Sequence, residues 1–313
     1  MRSRETATLV LVSMAAVLAG AALGCGGGSS ADPCATGGCA GAGGGTGPYD
    51  AGTGGPDASL FEDGGLDNDS GTPVCEDYVF PFTETQEVFF APDTAKWMHV
   101  KAWGAGGNQE KSCYGGIGGY SEGVFAVSPG TPLIVIVGGA GSAGQAFDYR
   151  FGFGNSGGGG LSGVFLGPDL IDENAWGKAL LIAGGGGGDG VEKGGGPCIT
   201  AIGGNHAQSG GAPTMMGGPG LDSGVNGGGG GYRGGTGGAK GAAGVGGTGY
   251  PHPASADKPQ GWVDSILLAA SVGDAVPPNA KDAEYDGVAG QTEANGQVVI
   301  HFKCEKPEIP TPE

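Results

Sequence analysis

The stretch VNGGGGGYRGGTGGAKGAAGVGGTG, Val225–Gly249, carries 14 glycines in 25 residues, and its reading decides the fold. Either it is a spacer without structure, or the chain folds because of its glycine. Glycine inside an ordinary helix or strand costs roughly 0.5–1 kcal/mol relative to alanine. The chain holds 76 glycines. The summed cost, on the order of tens of kcal/mol, exceeds the roughly 5–15 kcal/mol net stability of a domain. A folded chain of this composition therefore needs a geometry in which a β-carbon would clash. Position along the chain discriminates. A spacer sits apart from apolar strands, whereas here glycine and strand alternate.

The strand signals begin at residue 78 with YVFPF and EVFFAP, both short and aromatic. KWMHVKAW alternates, with Met98, Val100 and Ala102 on one face and Trp97, His99, Lys101 and Trp103 on the other. EGVFAV follows, then PLIVIV, which is apolar throughout and reads as a central strand. LSGVFL, KALLIA and a closing GQVVIHFKC complete the series. In the last, Val298, Ile300 and Phe302 share a face opposite Val299 and His301. VDSILLAASV from Val263 reads as strand or short helix. The pattern predicts an all-β fold.

Three strands run straight into glycine, as AWGAGG, IVIVGGAG and LLIAGGGGG. Each excursion leaves the sheet and returns, so the glycine segments lie near one another. Extended glycine segments held side by side can hydrogen-bond through their backbones, and without side chains they pack as closely as glycine permits at the collagen axis. A bundle of left-handed extended glycine helices satisfies the backbone and explains the composition.

The ordered series VKAWGAGG, LIVIVGGAG, GNSGGGGLSGVFLG, ALLIAGGGGG, GVNGGGGGYRGG and GQVVIHF resembles the extracellular glycine-rich region of the anaplastic lymphoma kinase and leukocyte tyrosine kinase receptors. Related domains recur in secreted bacterial proteins and phage tail adhesins. The resemblance spans residues 75–304. It implies a TNF-like, jelly-roll β-sandwich with an inserted bundle of polyglycine helices, and a binding role. No ligand-contact motif matches residue by residue, and receptor signalling does not carry over.

The N-terminus bears Arg2 and Arg4, then the apolar run ATLVLVSMAAVLAGAAL, then ALGC. This reads as a signal peptide over residues 1–24 with Cys25 as the lipidated first residue. Gly26 follows Cys25, where lipoproteins retained at the inner membrane often carry Asp, so an outer-membrane destination is expected. Residues 25–74 are nearly devoid of apolar side chains and read as a flexible tether. Within it DNDSG echoes the start of a calcium loop without its closing Glu, and Cys34 and Cys39 are expected to close a small loop. Residues 305–313 read as a disordered tail. The net charge of −18 disfavours nucleic acid and anionic headgroups, leaving the lipid anchor as the membrane contact.

Seven cysteines less the lipidated one leave six, an even number in an exported chain. Cys75 precedes the first strand signal and Cys304 follows the last, which predicts a Cys75–Cys304 staple. Cys113 and Cys198 then pair by elimination.

GYSEG, Gly119–Gly123, matches the nucleophile-elbow pattern, but Ser121 precedes a strand rather than a helix. His99, His206, His252 and His301 lack metal-ligand spacing. No catalytic residue, metal or cofactor is expected. Among the aromatics bordering glycine tracts, Trp97, Trp103, Tyr120 and Tyr232 are candidate binding residues. The preferred reading of these four, as of Tyr114 and Trp262, is that they cap the glycine bundle and the sandwich edge. The expectation is a cell-surface lipoprotein with a non-catalytic ligand-binding or adhesion domain, its partner a protein or glycan. A structural envelope component and an exported hydrolase are the alternatives.

Overall fold

A computed structural model describes residues 76–109, 114–141, 152, 154, 157–190, 201–205, 214–218, 220, 226–239 and 242–307. All fall in one compact unit, Asn68–Glu313. The signal peptide, Cys25, the tether with Cys34 and Cys39, and also Cys75, Cys113 and Cys198, lie outside the described residues.

Every strand signal in the sequence becomes a strand. They are β1 (Asp77–Phe80), β2 (Glu87–Phe90), β3 (Trp97–Trp103), β4 (Tyr120–Ala126), β5 (Pro132–Ile136), β6 (Ser162–Leu166), β7 (Ala179–Ala183), β8 (Trp262–Leu268) and β9 (Gln297–Lys303). The segment left open as strand or helix is β8. A single turn of 3-10 helix, Ala175–Lys178, precedes β7.

The strands form two antiparallel sheets, one of five strands in the order β1-β9-β3-β4-β8 and one of four in the order β2-β5-β6-β7. Between them lies the main core, to which β3 contributes Met98, Val100 and Ala102, β9 contributes Val298, Ile300 and Phe302, and β5 contributes Leu133 and Val135. These are the faces that the alternation assigns. The all-apolar β5 is an interior strand buried on both sides. Its Ile134 and Ile136 point away from the main core into a second cluster with Phe165, Ile182, Met215 and Tyr250. A strand covered on both faces has no position for a polar side chain.

The glycine excursions pack together beyond the strand ends. Gly184–Gly188, continuing directly from β7, lies among six other segments. Gly185 and Gly188 donate to Gly230 O and Gly227 O, both at 2.8 Å, and accept from Gly247 N and Gly244 N at 2.9 and 2.8 Å. Gly116 N and Gly119 N donate to Gly187 O and Gly184 O, both at 2.9 Å. Gly186 donates to Ala105 O at 2.9 Å and accepts from Gly159 N at 2.8 Å, while Gly187 donates to Ile202 O at 3.0 Å. A given neighbour is thus met at every third residue. Each N–H and C=O of this segment is satisfied by another segment, as burial requires.

The spacing leaves no room for side chains. A β-carbon on Gly186 would fall 1.8 Å from Gly116 O, and one on Gly229 would fall 2.2 Å from Gly185 O. Asn205 ties this region to the sheet. Its Oδ1 accepts from Gly184 N at 2.7 Å, and its Nδ2 donates to Tyr120 O at 2.6 Å and to Leu268 O at 3.3 Å. Asn205 has φ of 60°, a conformation that asparagine tolerates better than most residues.

The outer face of the five-stranded sheet is covered by a strap, residues 269–296, which connects β8 to β9. Tyr285 and Ala289 from the strap pack with Trp103, Tyr120 and Val299.

Candidate functional site

Two side-chain constellations stand out, one beneath the strap and one on the outer side of the four-stranded sheet.

The first arises because the non-core faces of β3, β4 and β9 are polar and the strap brings carboxylates to them. His99 Nε2 lies 2.6 Å from Glu122 Oε1. Lys101 Nζ lies 2.8 Å from Asp282 Oδ2 and 2.9 Å from Glu284 Oε2. His301 Nδ1 and Nε2 each lie 2.7 Å from a carboxylate oxygen, of Asp77 and Glu284 respectively. The two imidazoles are 5.7 Å apart. Burial pushes the Asp282 carboxyl up, but hydrogen bonds from Lys101 and the Glu284 backbone more than offset it and hold it below the usual carboxylate range. Burial likewise opposes the Lys101 charge, and Asp282 and Glu284 override it, so the ammonium is held above its ordinary range. The Tyr120 phenol, bonded to Glu122 at 2.7 Å, is pushed far up by burial and then by the Glu122 charge.

Beneath the strap, Trp103 and Tyr120 are 0% and 1% exposed. Trp103 Nε1 donates to Pro278 O at 3.2 Å, and its ring lies 4.9 Å from Tyr120 and 5.7 Å from Tyr285. These two candidate binding residues are therefore closed to a ligand in this conformation. They fill the layer between the sheet and the strap. Ser121, from the GYSEG motif, is fully buried and donates to Ile182 O at 2.7 Å. Trp97 is half-buried where β3 begins.

The second constellation is an aromatic platform. Tyr232 stacks on Tyr250 at 4.1 Å with an interplanar angle of 11°, and Trp176 meets Tyr232 edge-on at 6.5 Å. Tyr250 is held by reciprocal bonds with Ile182 on the edge of β7, at 2.8 and 2.9 Å. Tyr232 N donates to Thr248 O at 2.8 Å, which fixes it against the segment leading to Tyr250. The turn bearing Trp176 is tied down by Met215 N, which donates to Glu173 O at 2.9 Å. The Tyr232 hydroxyl donates to Asp257 Oδ2 at 3.1 Å. Burial and then that hydrogen bond push its phenol up to about 12. Beside Asp257, Lys258 Nζ sits 4.1 Å over the Trp262 ring.

Trp176 is 48% exposed, Tyr232 is half-buried, and Tyr250 is buried beneath Tyr232 as a member of the second core cluster. Of the sequence candidates, only Tyr232 belongs to this platform. Trp176 and Tyr250 were missed, because they come from separate loops. Trp176 carried a usable signal, being a large aromatic in the polar turn DENAWGK.

A cavity of about 70 Å³ opens among Met98, Phe125, Thr131, Leu166, Leu180 and Gln260, well below the roughly 300–1,000 Å³ of small-molecule sites. Among the described residues no three His, Cys, Asp or Glu side chains converge as a metal-binding group. None of their helices is long and apolar enough to cross a membrane. Cys304 is disulfide-bonded. No protein-family model matches the sequence, and no characterised protein aligns with it.

Proposed function

We propose that this chain is a lipid-anchored surface protein whose glycine-rich domain binds a protein or glycan without catalysing a reaction. The observation that carries the reading is the exposed Trp176 edge-on to the half-buried Tyr232, which is seated on the buried Tyr250, with Asp257 at the edge. Rigid aromatic side chains with a polar handle are the usual anchors of recognition surfaces. This platform stands on hydrogen-bonded backbone, so little ordering remains to be done on binding. The sequence adds the export signal and Cys25, from which an outer-membrane position follows.

The finer fold belongs to the same proposal. The all-β architecture and the three-residue recurrence of bonds in the glycine region support a TNF-like sandwich carrying polyglycine helices, like the receptor region that the sequence resembles. The Cys304 partner is assigned to Cys75. Phe302 N donates to Glu76 O at 2.9 Å, so a described residue near Cys304 in sequence is bonded to the residue that follows Cys75. A non-reducing peptide map linking Cys304 to Cys113 or Cys198 would overturn this pairing.

Binding is tested with the mature chain against immobilised envelope proteins and glycans. Trp176→Ala and Tyr232→Ala should abolish capture while leaving the circular dichroism spectrum unchanged. A ligand that binds both variants as well as the parent would move the function off this surface.

A further inference from the structure

We propose that the strap, residues 269–296, is a proton-controlled cover over a hidden aromatic face, with His301 as its clasp. This rests on the opposite side of the molecule from the binding platform and does not depend on it.

The covered face consists of Trp103, Tyr120 and Val299. From the strap, Tyr285 and Ala289 supply the apolar contact, and the remaining hold is polar. Lys101 reaches Asp282 and Glu284. Gln297 Nε2 donates to Glu284 O at 3.0 Å, while its Oε1 accepts from Asp286 N at 3.2 Å. A cover with so little apolar contact depends on its polar bonds to stay closed.

His301 joins three elements, since it stands on β9, meets Asp77 on β1 through Nδ1, and meets Glu284 on the strap through Nε2. Burial pushes the Asp77 carboxyl up, but His301 and Lys303 more than offset it. Burial is likewise offset at Glu284 by Lys101 and His301, so both carboxyls stay below their usual range. An ionised carboxylate only accepts hydrogen bonds. Both contacts of His301 therefore require a proton on the ring nitrogen, and together they require both. Removing either proton turns one charge-assisted bond into two facing lone pairs.

The other groups around the clasp set its charge balance. His99 from β3 faces His301 across 5.7 Å and is bonded to Glu122 of β4, which also takes the Tyr120 hydroxyl. Lys101 lies on Glu284, and Lys303 lies 3.3 Å from Asp77. With both imidazoles protonated, four cations (His99, Lys101, His301, Lys303) face four carboxylates (Asp77, Glu122, Asp282, Glu284). With both neutral, two cations face four carboxylates. Histidine is the side chain whose ordinary titration falls between about pH 5 and 8. A contact that needs the proton is present when the group is charged and lost as pH rises. The strap is thus held in mildly acidic solution and loosened in mildly alkaline solution.

Loosening would uncover Trp103 and Tyr120 where the first glycine excursion leaves β3. It would also withdraw the carbonyls of Gly290 and Ala294, which accept from Gly118 N and Gly106 N.

Hydrogen exchange on the full mature chain at pH 5.5 and 8.5, corrected for intrinsic rates, tests this. The amides of Asp286, Ala289 and Gly290 should lose protection at the higher pH. Those of Val298–Phe302 in β9 should not change. Equal strap protection at both values would sink the proposal. His301→Gln should remove the pH dependence. Because that variant can fail to fold, nitrogen NMR of the wild-type ring gives a separate reading. Both ring nitrogens should be protonated at pH 5.5, and a neutral His301 there would overturn the clasp.

Discussion

Between the two sheets, the interior is filled by side chains such as Met98, Phe125, Val164 and Phe302, interlocked from both sides. A short distance along the same strands, where β7 becomes Gly184–Gly188, the interior is filled by backbone alone. In the first region, stability comes from apolar area removed from water, and the backbone bonds stay within each sheet. In the second there is little side-chain area to bury, and backbone bonds run outward to six different segments. The two regions therefore fail in opposite ways. The sandwich core is damaged by removing atoms, and the glycine region by adding them.

The sharpest way to test that contrast is to change volume in both directions. Phe302→Ala deletes a ring that is 1% exposed and in contact with Tyr78 and Phe89. It should cost about 3–5 kcal/mol, read as a lower urea midpoint. Gly229→Val adds atoms where a β-carbon already meets Gly185 O. It should cost about 1–3 kcal/mol, and amides of the glycine region should lose exchange protection first. Gly177→Ala is the control, since nothing lies within 4 Å of its β-carbon position. If Gly229→Val melts like the parent, the glycine region contributes no packing and the comparison collapses.

A smaller effect separates the two regions by pH. Asp77, Asp282 and Glu284 have carboxyls held below their usual range. Their contribution is complete above the unfolded values and is lost as pH falls through the lowered ones, below about pH 4. Lys101 is held above its ordinary range, so its contribution is lost only as pH rises beyond about 10.5. Below about pH 4 the strap should therefore loosen, with the Trp103 near-ultraviolet signal as readout. Gly184–Gly188 has no titratable side chain and should keep its protection. Lys101→Met should flatten the acid limb. Parallel loss in both regions would mean that they unfold as one unit.

The smallest effect on stability is expected at the platform. Trp176 is half-exposed, so Trp176→Ala should change stability by no more than about 0.5 kcal/mol, while the binding proposed above disappears. A large drop in melting temperature would make Trp176 a packing residue instead.

How much of this was legible follows from the range of each signal. The faces of β3 and β9 were readable because alternation is a local, period-two pattern. The centrality of β5 was readable because a strand covered on both sides has to be apolar. Strand-to-glycine alternation pointed to a folded glycine region, since only a packed geometry reconciles 76 glycines with a stable domain. The candidate surface was read less well. Trp103 and Tyr120 were named as candidates although capping was the preferred reading, and a strap with no periodic signal of its own covers them. Tyr232 was named from the sequence, whereas Trp176 and Tyr250, the rings it meets, were not.

By itself, the sequence determined the all-β class, the inward and outward residues of the strands, and the places where glycine takes over. Tertiary structure alone decided which glycine meets which, because glycines carry no side chain to distinguish one register from another. It also decided which aromatics are hidden, and which loops bring Trp176, Tyr232 and Tyr250 together. Those outcomes depend on contacts between segments far apart in the chain, and no local pattern of residues encodes them.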